Sequence, residues 1–481
     1  MVEFKFLNSV KEYVDRDMVS FHIPGHKGGR LYRRYPELEE FGKMLKLDTT
    51  DTPYTDNYFE PKTIIKEAQD KAAKFYNCQH TIFLINGTSV GNIAAMLAVL
   101  KPKDKIIVGR DAHKSINHAL ILGDITAEYI YPDIHPEFNL PMGITPEKVE
   151  KAIIENPDAK AVLVTYPNYF GVGSDIVGIG EVCKKYDKIL IVDEAHAPHF
   201  NLSDELPPTA LSAGAGIVNQ STHKTLGAMT QSSMLHINSD KVDMDYLNTV
   251  LIILQSSSPN YLFLESLDIS REICEKDGKE LMAELLTNAR NFRKEVAKLD
   301  GVKLINESVI GTYGIKYHDP TRLVINMSEL GIDGVDLDKL LMENYGIQAE
   351  MAIENNIVCV TSIGNVKEDF DKLLFALKDI KEKYANMSEI PELLYYEYKA
   401  NAAVSPREAF YSDKETIKLA DSLGKISAQY VIPYPPGIPV LCPGEVITKE
   451  AIDFMTSVFE RGCKGTRVIG MNDDRIIEVI K

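Results

Sequence analysis

The most informative residue for chemistry is Lys224, in the segment Ser221-Thr-His-Lys-Thr-Leu-Gly227. A lysine placed among small residues and away from water has a lowered pKa. It is then a nucleophile suited to forming a Schiff base with a carbonyl compound. The alternative is an ordinary surface lysine in a loop. The neighbouring motifs are needed to distinguish a buried reactive lysine from an exposed one.

A carboxylate follows a buried strand. Asp193 comes directly after the apolar run Lys188-Ile-Leu-Ile-Val192 and begins Asp-Glu-Ala-His196. An unpaired charge at such a position is costly, so Asp193 requires a partner such as a helix N-terminus, a metal or a protonated ring nitrogen. A structural ion pair is the plain alternative. The spacing of Asp193, His196 and His199 fits no zinc-ligand pattern, so we predict no metal.

The segment Asn86-Gly-Thr-Ser89 precedes an apolar helix pattern and suits an anion. Backbone N–H groups and the helix dipole meet at such a turn, and the hydroxyls of Thr88 and Ser89 add donors. Either hydroxyl could instead only cap the helix. A nucleotide-binding Walker loop is excluded because no Gly-Lys-Ser/Thr follows.

An amine, an anion site and a buried carboxylate are together what pyridoxal phosphate requires of a protein. His113, in Asp111-Ala-His-Lys-Ser115, is able to stack on the cofactor ring, although a capping or core histidine is the alternative. We therefore predict a pyridoxal phosphate enzyme.

These residues follow predicted strands between about 60 and 235, where short apolar runs alternate with helical patterns. Such runs are typical of parallel strands buried on both faces, and ligands bind outside the carboxyl ends of these strands. The pattern predicts a doubly wound α/β domain. The predicted strands are Thr81–Ile85, Lys105–Val108, Ala161–Thr165, Lys188–Val192 and Ala215–Asn219, and the predicted helices are Pro61–Tyr76 and Ile93–Leu100.

Beyond residue 260 the pattern changes. Leu262–Leu299 predicts one or two long helices, and residues 300–385 mix short strands with helices that end in the amphipathic Glu368–Tyr384. A proline-dense segment, Val431–Pro439, lies in a third unit. We predict an N-terminal arm (1–30), a large α/β domain (31–300), a small α+β domain (301–388) and a C-terminal domain (389–481).

Composition narrows the function classes. The 481 residues contain 53 Lys and Arg against 70 Asp and Glu, a net charge of −17. This balance argues against nucleic-acid binding and against a polybasic membrane anchor. No run approaches the roughly 18 apolar residues of a membrane span, and the first residues lack the apolar core of a secretory signal. The six cysteines are dispersed without a Cys-x-x-Cys pair, so we expect a cytoplasmic protein.

With these motifs in order, the sequence resembles the Orn/Lys/Arg decarboxylase family of fold-type-I pyridoxal phosphate enzymes over nearly its whole length. It is most similar to the short bacterial arginine decarboxylase branch, which lacks the N-terminal wing domain. The motifs that carry the resemblance, besides those above, are Pro24-Gly-His-Lys-Gly-Gly29, Met229-Thr-Gln-Ser-Ser233, Ser256-Ser-Ser-Pro259, Ser405-Pro-Arg-Glu-Ala-Phe410, and the stretch from Pro433 to Glu445.

The resemblance implies a fold and a set of roles. The fold is an aspartate-aminotransferase-like large domain with a mostly parallel seven-stranded sheet, a small α+β domain and a C-terminal α+β domain. Lys224 carries the cofactor as a Schiff base, Asp193 pairs with the pyridine nitrogen and His113 stacks on the ring. The remaining implied cofactor contacts are Gly87, Thr88, Ser89, Ser221 and His223 at the phosphate, Ala195 under the ring, His196 beside it, and Ser256 and Ser258.

The resemblance also implies a homodimer or larger homo-oligomer, because the Ser256–Ser258 loop is similar to one that reaches the phosphate of a neighbouring subunit. Asp56 and Glu445 are the implied substrate contacts. The expected reaction is decarboxylation of a basic L-amino acid, with arginine to agmatine, a step of polyamine synthesis, ahead of lysine and ornithine.

Two other readings stay open. One is an aminotransferase or aldolase of the same fold; an aminotransferase would place an arginine of the small domain on the substrate carboxylate, and Arg322 is the candidate. A catalytically silent homologue that regulates a true decarboxylase is the other. The sequence departs from the family around Asp56, in Tyr54-Thr-Asp-Asn-Tyr58, and at Ala197, where the family has glycine. Both departures border the substrate mouth and leave the cofactor prediction intact.

Overall fold

The computed structural model describes residues 4–353, 355–385, 401–434, 439–460, 467–472 and 474–481. The helices in these ranges are α1 (Lys5–Val14), α2 (Glu39–Met44), α3 (Ile64–Tyr76), α4 (Gly87–Val99), α5 (Lys114–Gly123), α6 (Pro146–Glu155), α7 (Ile176–Lys185), α8 (Thr222–Thr225), α9 (Met244–Leu254), α10 (Tyr261–Val296), α11 (Gly334–Tyr345), α12 (Lys367–Tyr384), α13 (Pro406–Tyr411) and α14 (Lys449–Glu460).

The strands in the same ranges are β1 (His80–Leu84), β2 (Lys105–Gly109), β3 (Thr126–Ile130), β4 (Ile134–His135), β5 (Leu140–Pro141), β6 (Ala161–Thr165), β7 (Val172–Gly173), β8 (Ile189–Asp193), β9 (Ile217–Gln220), β10 (Ser233–Ile237), β11 (Lys303–Leu304), β12 (Tyr317–His318), β13 (Arg322–Asn326), β14 (Met351–Ile353), β15 (Asn356–Val360), β16 (Lys414–Lys418), β17 (Ile432–Tyr434), β18 (Arg467–Ile469) and β19 (Ile476–Ile480).

A seven-stranded sheet in the order β1-β10-β9-β8-β6-β2-β3 is the centre of the fold. Only β10 runs antiparallel to its neighbours, and the other six strands share one direction. The prediction of a mostly parallel doubly wound sheet is confirmed, and β6 has the predicted bounds. The helix predicted at Ile93 begins six residues earlier, at Gly87, so Thr88 and Ser89 lie in the first turn of α4.

Both faces of this sheet are buried, as the continuous apolar strands predicted. Alternate residues of a strand point to opposite faces. On β6, Val162 and Val164 accordingly belong to one hydrophobic cluster and Leu163 to another. The same alternation separates Ile107 from Ile106 on β2. Helices therefore cover both faces, and the carboxyl ends of the strands are left as the place where a ligand can bind.

A second sheet, β11-β13-β15-β14, is antiparallel throughout and packs with α11 and α12. The segment predicted as one or two helices is the single 36-residue α10, which packs against α12 through Phe292 and Phe370, whose ring centres lie 6.0 Å apart. One hydrophobic cluster runs from the central sheet across the predicted limit at residue 300 into α12.

The C-terminal part has a hydrophobic cluster of its own around the β16-β19 pair and α14. The predicted limit at 388/389 lies outside the described residues, as do residues 435–438 of the proline-dense segment. None of the helices in the described ranges is long and apolar enough to cross a membrane.

Candidate active site

The reactive lysine predicted from sequence lies in α8, one turn after the end of β9. Its Nζ is 2.9 Å from Nε2 of His196. Burial lowers the pKa of Lys224 from 10.5 to about 8; the charge of Asp193 opposes this shift and that of Arg322 adds to it. A lysine with this pKa is a far better nucleophile at neutral pH than an ordinary one.

Asp193, the last residue of β8, is buried and is held by two donors. Asn92 Nδ2 donates to its Oδ2 over 2.7 Å, and the Ala195 N–H donates to its Oδ1 over 3.1 Å. The same Asn92 amide lies 3.1 Å from Ser115 Oγ. Asp193 is therefore fixed in orientation at the end of the strand, and no cationic side chain among the described residues is bonded to it.

The predicted anion site forms where α4 begins. Gly87 has a φ of +74°, which glycine adopts without strain and which turns the chain into the helix. Behind the turn, Thr88 Oγ1 lies 2.6 Å from Ser221 Oγ and also contacts Ser233 Oγ. Ser89 is exposed on the same first turn. Buried hydroxyls thus support an exposed hydroxyl and the free N–H groups of a helix start.

Two histidines border this space. His113 caps α5, and its Nδ1 accepts the Ser115 N–H over 3.3 Å, so its ring presents Nε2 and an exposed face. The surrounding protein displaces water and lowers the pKa of His113, while the charge of Asp193 opposes the shift. Nδ1 of His223 donates to the Ser232 carbonyl over 2.8 Å, which leaves its Nε2 for a ligand.

The chemistry of these donors fits pyridoxal phosphate. An exposed hydroxyl at a helix start, a reactive amine and an oriented carboxylate surround the same space, and the charges of Asp193 and Lys224 each alter the pKa of His113. In the described ranges, no group of three or more His, Cys, Asp or Glu side chains is arranged to hold a metal ion.

Sequence reasoning missed Asn92 and Ser233. Asn92 follows Thr88 by four residues, so a helix that begins at Gly87 places both on one face, toward Ser221 and Asp193. The helix start was predicted too late for this spacing to be seen. Ser233 was part of a recognised motif, but its contact with Thr88 requires β10 to lie beside β9.

Ser256 and Ser258 lie in an exposed turn after α9. The Ser258 N–H donates to Ser256 Oγ over 3.2 Å, and the Ser256 N–H donates to Asn86 Oδ1 over 3.4 Å. Asn86 precedes the anion site of the same chain. The turn is thus next to the chain's own anion site, and both serines are exposed. A contact with a neighbouring subunit stays a prediction.

Asp56 is buried and acts as a cap for the start of α3. Its carboxylate accepts the backbone N–H groups of Asn57, Lys62, Thr63 and Ile65 over 2.8 to 3.2 Å. Burial alone would raise the pKa of Asp56, but these donors outweigh it and lower the pKa. Its oxygens are occupied within the chain, so the predicted substrate contact would have to displace one of these bonds.

Glu445 is also buried and forms a bidentate ion pair with Arg110, which follows β2. The two bonds measure 2.6 and 2.9 Å, and the Cys442 N–H donates to the same carboxylate over 2.8 Å. The guanidinium carbon of Arg110 lies 4.5 Å from the ring centre of Tyr129. Within one chain, the ion pair of Glu445 with Arg110 connects the C-terminal part to the central sheet. The predicted contact with substrate remains a prediction.

Comparison with known proteins identifies the family. The model of the Orn/Lys/Arg decarboxylase major domain matches residues 5–369, and that of the C-terminal domain matches residues 388–464. An arginine decarboxylase of Bacillus subtilis is 37% identical over 486 residues, covering 100% of this chain and 98% of that protein. One from Halalkalibacterium halodurans is 35% identical, covering 98% and 97%.

Solved structures agree on the fold. The Francisella novicida lysine decarboxylase superposes with a TM-score of 0.86 at 22% identity, covering 99% of this chain and 81% of that one. An alanine–glyoxylate aminotransferase from Nostoc superposes with a TM-score of 0.54 at 16% identity, covering 67% and 88%. Membership of the family implies dependence on pyridoxal phosphate. The chain belongs to the Orn/Lys/Arg decarboxylase family and is a decarboxylase, as its motifs predicted.

Proposed function

We propose that this enzyme decarboxylates L-arginine to agmatine, with pyridoxal phosphate bound at Lys224. The observation that carries the proposal is the lysine whose pKa is lowered to about 8, next to an oriented buried carboxylate and a hydroxyl-lined helix start. Relatives named arginine decarboxylase, at 34–37% identity over most of the chain, support arginine over lysine. The lysine decarboxylases among the relatives are 24–25% identical.

The proposed cofactor contacts follow from the site. The start of α4 with Ser89, and Ser221 and His223, would hold the phosphate, and Lys224 would carry the cofactor. Asp193 would hold a proton on the pyridine nitrogen, and the exposed face of His113 would cover the ring. The chemistry that the bound cofactor supplies is a sink for the electron pair left when CO₂ departs.

The residues of the chain perform the remaining tasks. At pH 8 about half of Lys224 is an uncharged amine, compared with about 0.3% of a lysine with the ordinary pKa of 10.5, a gain of roughly 150-fold in the nucleophilic form. Asn92 and the Ala195 N–H keep Asp193 pointing at one position. Burial around Lys224 excludes water, which strengthens each of these interactions.

A cationic substrate is supported by charge at the site. The carboxylate of Glu350 is exposed, and its charge raises the pKa of Lys224, so it lies within electrostatic reach of the reacting amine. Glu350 also accepts a hydrogen bond from the Tyr169 hydroxyl. An exposed carboxylate beside the reactive lysine favours a substrate with a distal positive charge.

The proposal includes a homodimer with the active site near the interface. Apolar side chains are exposed before the Ser256–Ser258 turn, with Ile252 and Ile253 exposed by 49% and 76%, and in the N-terminal segment, with Val19 and Phe21 exposed by 72% and 95%. A second chain seated on these side chains would remove their apolar surface from water. The dispersed free cysteines support a cytoplasmic location.

A substrate panel tests the proposal. Arginine, lysine, ornithine and neutral amino acids are assayed for CO₂ release and amine product, and we expect arginine to be turned over with the highest kcat/KM. Lys224→Ala should abolish both CO₂ release and the visible absorbance of the bound cofactor. Lys241→Ala is the control, because Lys241 forms an exposed ion pair with Asp187. Turnover of neutral amino acids equal to that of arginine would contradict the proposal, as would activity in Lys224→Ala.

A further inference from the structure

Three side chains form a hydrogen-bonded series that ends on the reactive lysine. Arg322, the first residue of β13 in the second sheet, places Nη2 3.4 Å from Nδ1 of His196. The other ring nitrogen, Nε2, lies 2.9 Å from Nζ of Lys224. Tyr169 packs on the same imidazole, with ring centres 4.5 Å apart, and limits its rotation. The series connects the second sheet to the chemistry at the end of the first.

The direction of the hydrogen bond between Arg322 and His196 determines whether His196 donates to Lys224 or accepts from it. A guanidinium only donates hydrogen bonds, so Nδ1 of His196 has to accept. A neutral imidazole that accepts at Nδ1 carries its proton on Nε2. His196 is kept neutral because burial lowers its pKa well below the ordinary value, and the charges of Lys224 and Arg322 lower it further. The Nε2–H of His196 therefore points at Nζ of Lys224.

A donor at Nε2 requires an acceptor at Nζ, and only an uncharged amine has a lone pair to accept. We propose that Arg322 is a positioning residue that fixes the Nε2–H form of His196 and thereby holds Lys224 as a neutral amine with an oriented lone pair. This inference rests on the proposed role of Lys224 and adds how the chain prepares it.

The charges around Lys224 explain why its neutral form needs the additional interaction with His196 and Arg322. The carboxylates of Asp193 and Glu350 favour the protonated amine, whereas burial and Arg322 favour the neutral one. Removing Arg322 would leave the two carboxylates opposed only by burial. The titratable and charged groups around Lys224 are Asp193, His196, Arg322, Glu350, His113 and the adjacent His223.

The guanidinium of Arg322 is available to donate to His196 because no carboxylate among the described residues forms a hydrogen bond with it. Arg322 is buried, its Nη1 has no hydrogen-bond partner among the described residues, and Asp319 acts on it through charge. A direct contact between Nη1 and the substrate carboxylate is the competing role. The two roles differ in what they change: positioning alters the ionisation of Lys224 without substrate, and direct contact alters KM.

The test measures Lys224 itself. The full-length chain is freed of cofactor and labelled with a trace amine reagent between pH 6 and 11, and the labelled Lys224 peptide is quantified by mass spectrometry. Arg322→Met removes both the donor and the charge. We expect the pKa of Lys224 to rise by at least one unit, so that labelling at pH 8 falls by roughly 5-fold or more.

Two further variants test the cationic donor and the histidine tautomer. Arg322→Lys keeps a cationic donor and should restore most of the labelling lost in Arg322→Met. His196→Gln replaces the imidazole with an amide that has a donor near the Nε2 position but no alternative tautomers. In this background, Arg322→Met should therefore change the labelling of Lys224 less than it does in the parent enzyme. Arg271→Lys is the matched control, since Arg271 is an equally buried arginine on α10 paired with Asp268; its labelling curve should match the parent.

An unchanged Lys224 titration in Arg322→Met overturns the proposal, and an accompanying rise in KM would assign Arg322 to the substrate instead. If Arg322→Met does not fold, the same judgement falls on Arg322→Gln, whose shorter neutral side chain removes the charge and the obligatory donor: a parental Lys224 titration curve in that variant would overturn the proposal. Because the labelling uses no substrate, failure of arginine turnover would refute the proposed function without altering this result.

Discussion

The buried ion pair between Arg110 and Glu445 allows the two roles considered for Glu445 to be separated. The side chains of the pair are exposed by only 5% and 2%, and two short bonds join them. In Glu445→Ala, the guanidinium of Arg110 stays buried without its counter-charge. Such a loss costs about 3–5 kcal/mol of unfolding free energy, mostly from the uncompensated charge.

The expected shift in melting temperature follows from the size of the chain. With an unfolding entropy of about 2.1 cal/mol/K per residue, a 481-residue chain that unfolds as one unit has about 1 kcal/mol/K in total. The melting temperature of Glu445→Ala should therefore fall by about 3–5 °C. A double replacement, Arg110→Met with Glu445→Leu, removes both charges and should recover most of this loss.

Calorimetry of the cofactor-loaded enzyme measures the melting temperature, and steady-state kinetics with arginine measure KM and kcat. Glu415→Ala is the control, because Glu415 pairs with Lys425 on the surface of the same C-terminal part, where an ion pair contributes at most about 1 kcal/mol. If Glu445→Ala melts within 1 °C of the parent while KM rises 100-fold, Glu445 acts on the substrate and the ion-pair reasoning is refuted.

Three further predictions concern the site and the core. In Gly91→Ala, a Cβ on α4 would lie 2.2 Å from Oδ1 of Asn219, so the helix has to shift and cofactor affinity should fall at least 10-fold in an absorbance titration. Asn92→Ala removes the donor to Asp193, and kcat should fall about 10- to 150-fold, which corresponds to the 1.5–3 kcal/mol of a hydrogen bond to a charged group. Burial raises the pKa of Glu265 to about 8, above its value of 4.5 in the unfolded chain. The free energy of unfolding should therefore decline by about 2–3 kcal/mol between pH 6 and 8, and urea unfolding of Glu265→Gln should show no such decline.

Each of these predictions has its control. Gly25 has open space around it, so Gly25→Ala should bind cofactor as the parent does, and equal affinity in Gly91→Ala would contradict the packing argument. Asn92→Asp keeps the size of the side chain but repels Asp193, so it should lower kcat more than Asn92→Ala. Glu280→Gln, on the same helix as Glu265, should leave the pH dependence of stability unchanged; the same slope in Glu265→Gln would contradict the sign worked out for Glu265.

Local pattern was sufficient for the central elements. The run Ala161–Thr165 is apolar at every position but its last, which favours a short strand buried on both faces, and the predicted and observed bounds of β6 coincide. The start of α4 was harder to predict because Gly87 and Ser89 are poor helix formers. Their place in the first turn depends on the anion site and on the contact between Thr88 and Ser221, which sequence spacing does not show.

Residues that act through a distant partner could not be assigned from sequence. The environment of Asp56 depends on a backbone that curls around its carboxylate, and that of Glu445 on Arg110, which is 335 positions away in the chain. Arg322 was considered only as a substrate ligand, because nothing near it in sequence indicates that His196 lies at the end of its guanidinium.

By itself, the sequence determined the fold class and the family, and it predicted the lysine, the carboxylate and the anion-binding segment of a cofactor site. Each of these rests on a short segment, and the order of the motifs along the chain favoured one of the alternatives that each segment left open. Only the tertiary structure decided which side chains influence the ionisation of Lys224. Desolvation of Lys224 and its bond to His196 arise where the segments after β8 and β9 lie beside Arg322 at the start of β13, and they depend on distances between segments that are far apart in the chain.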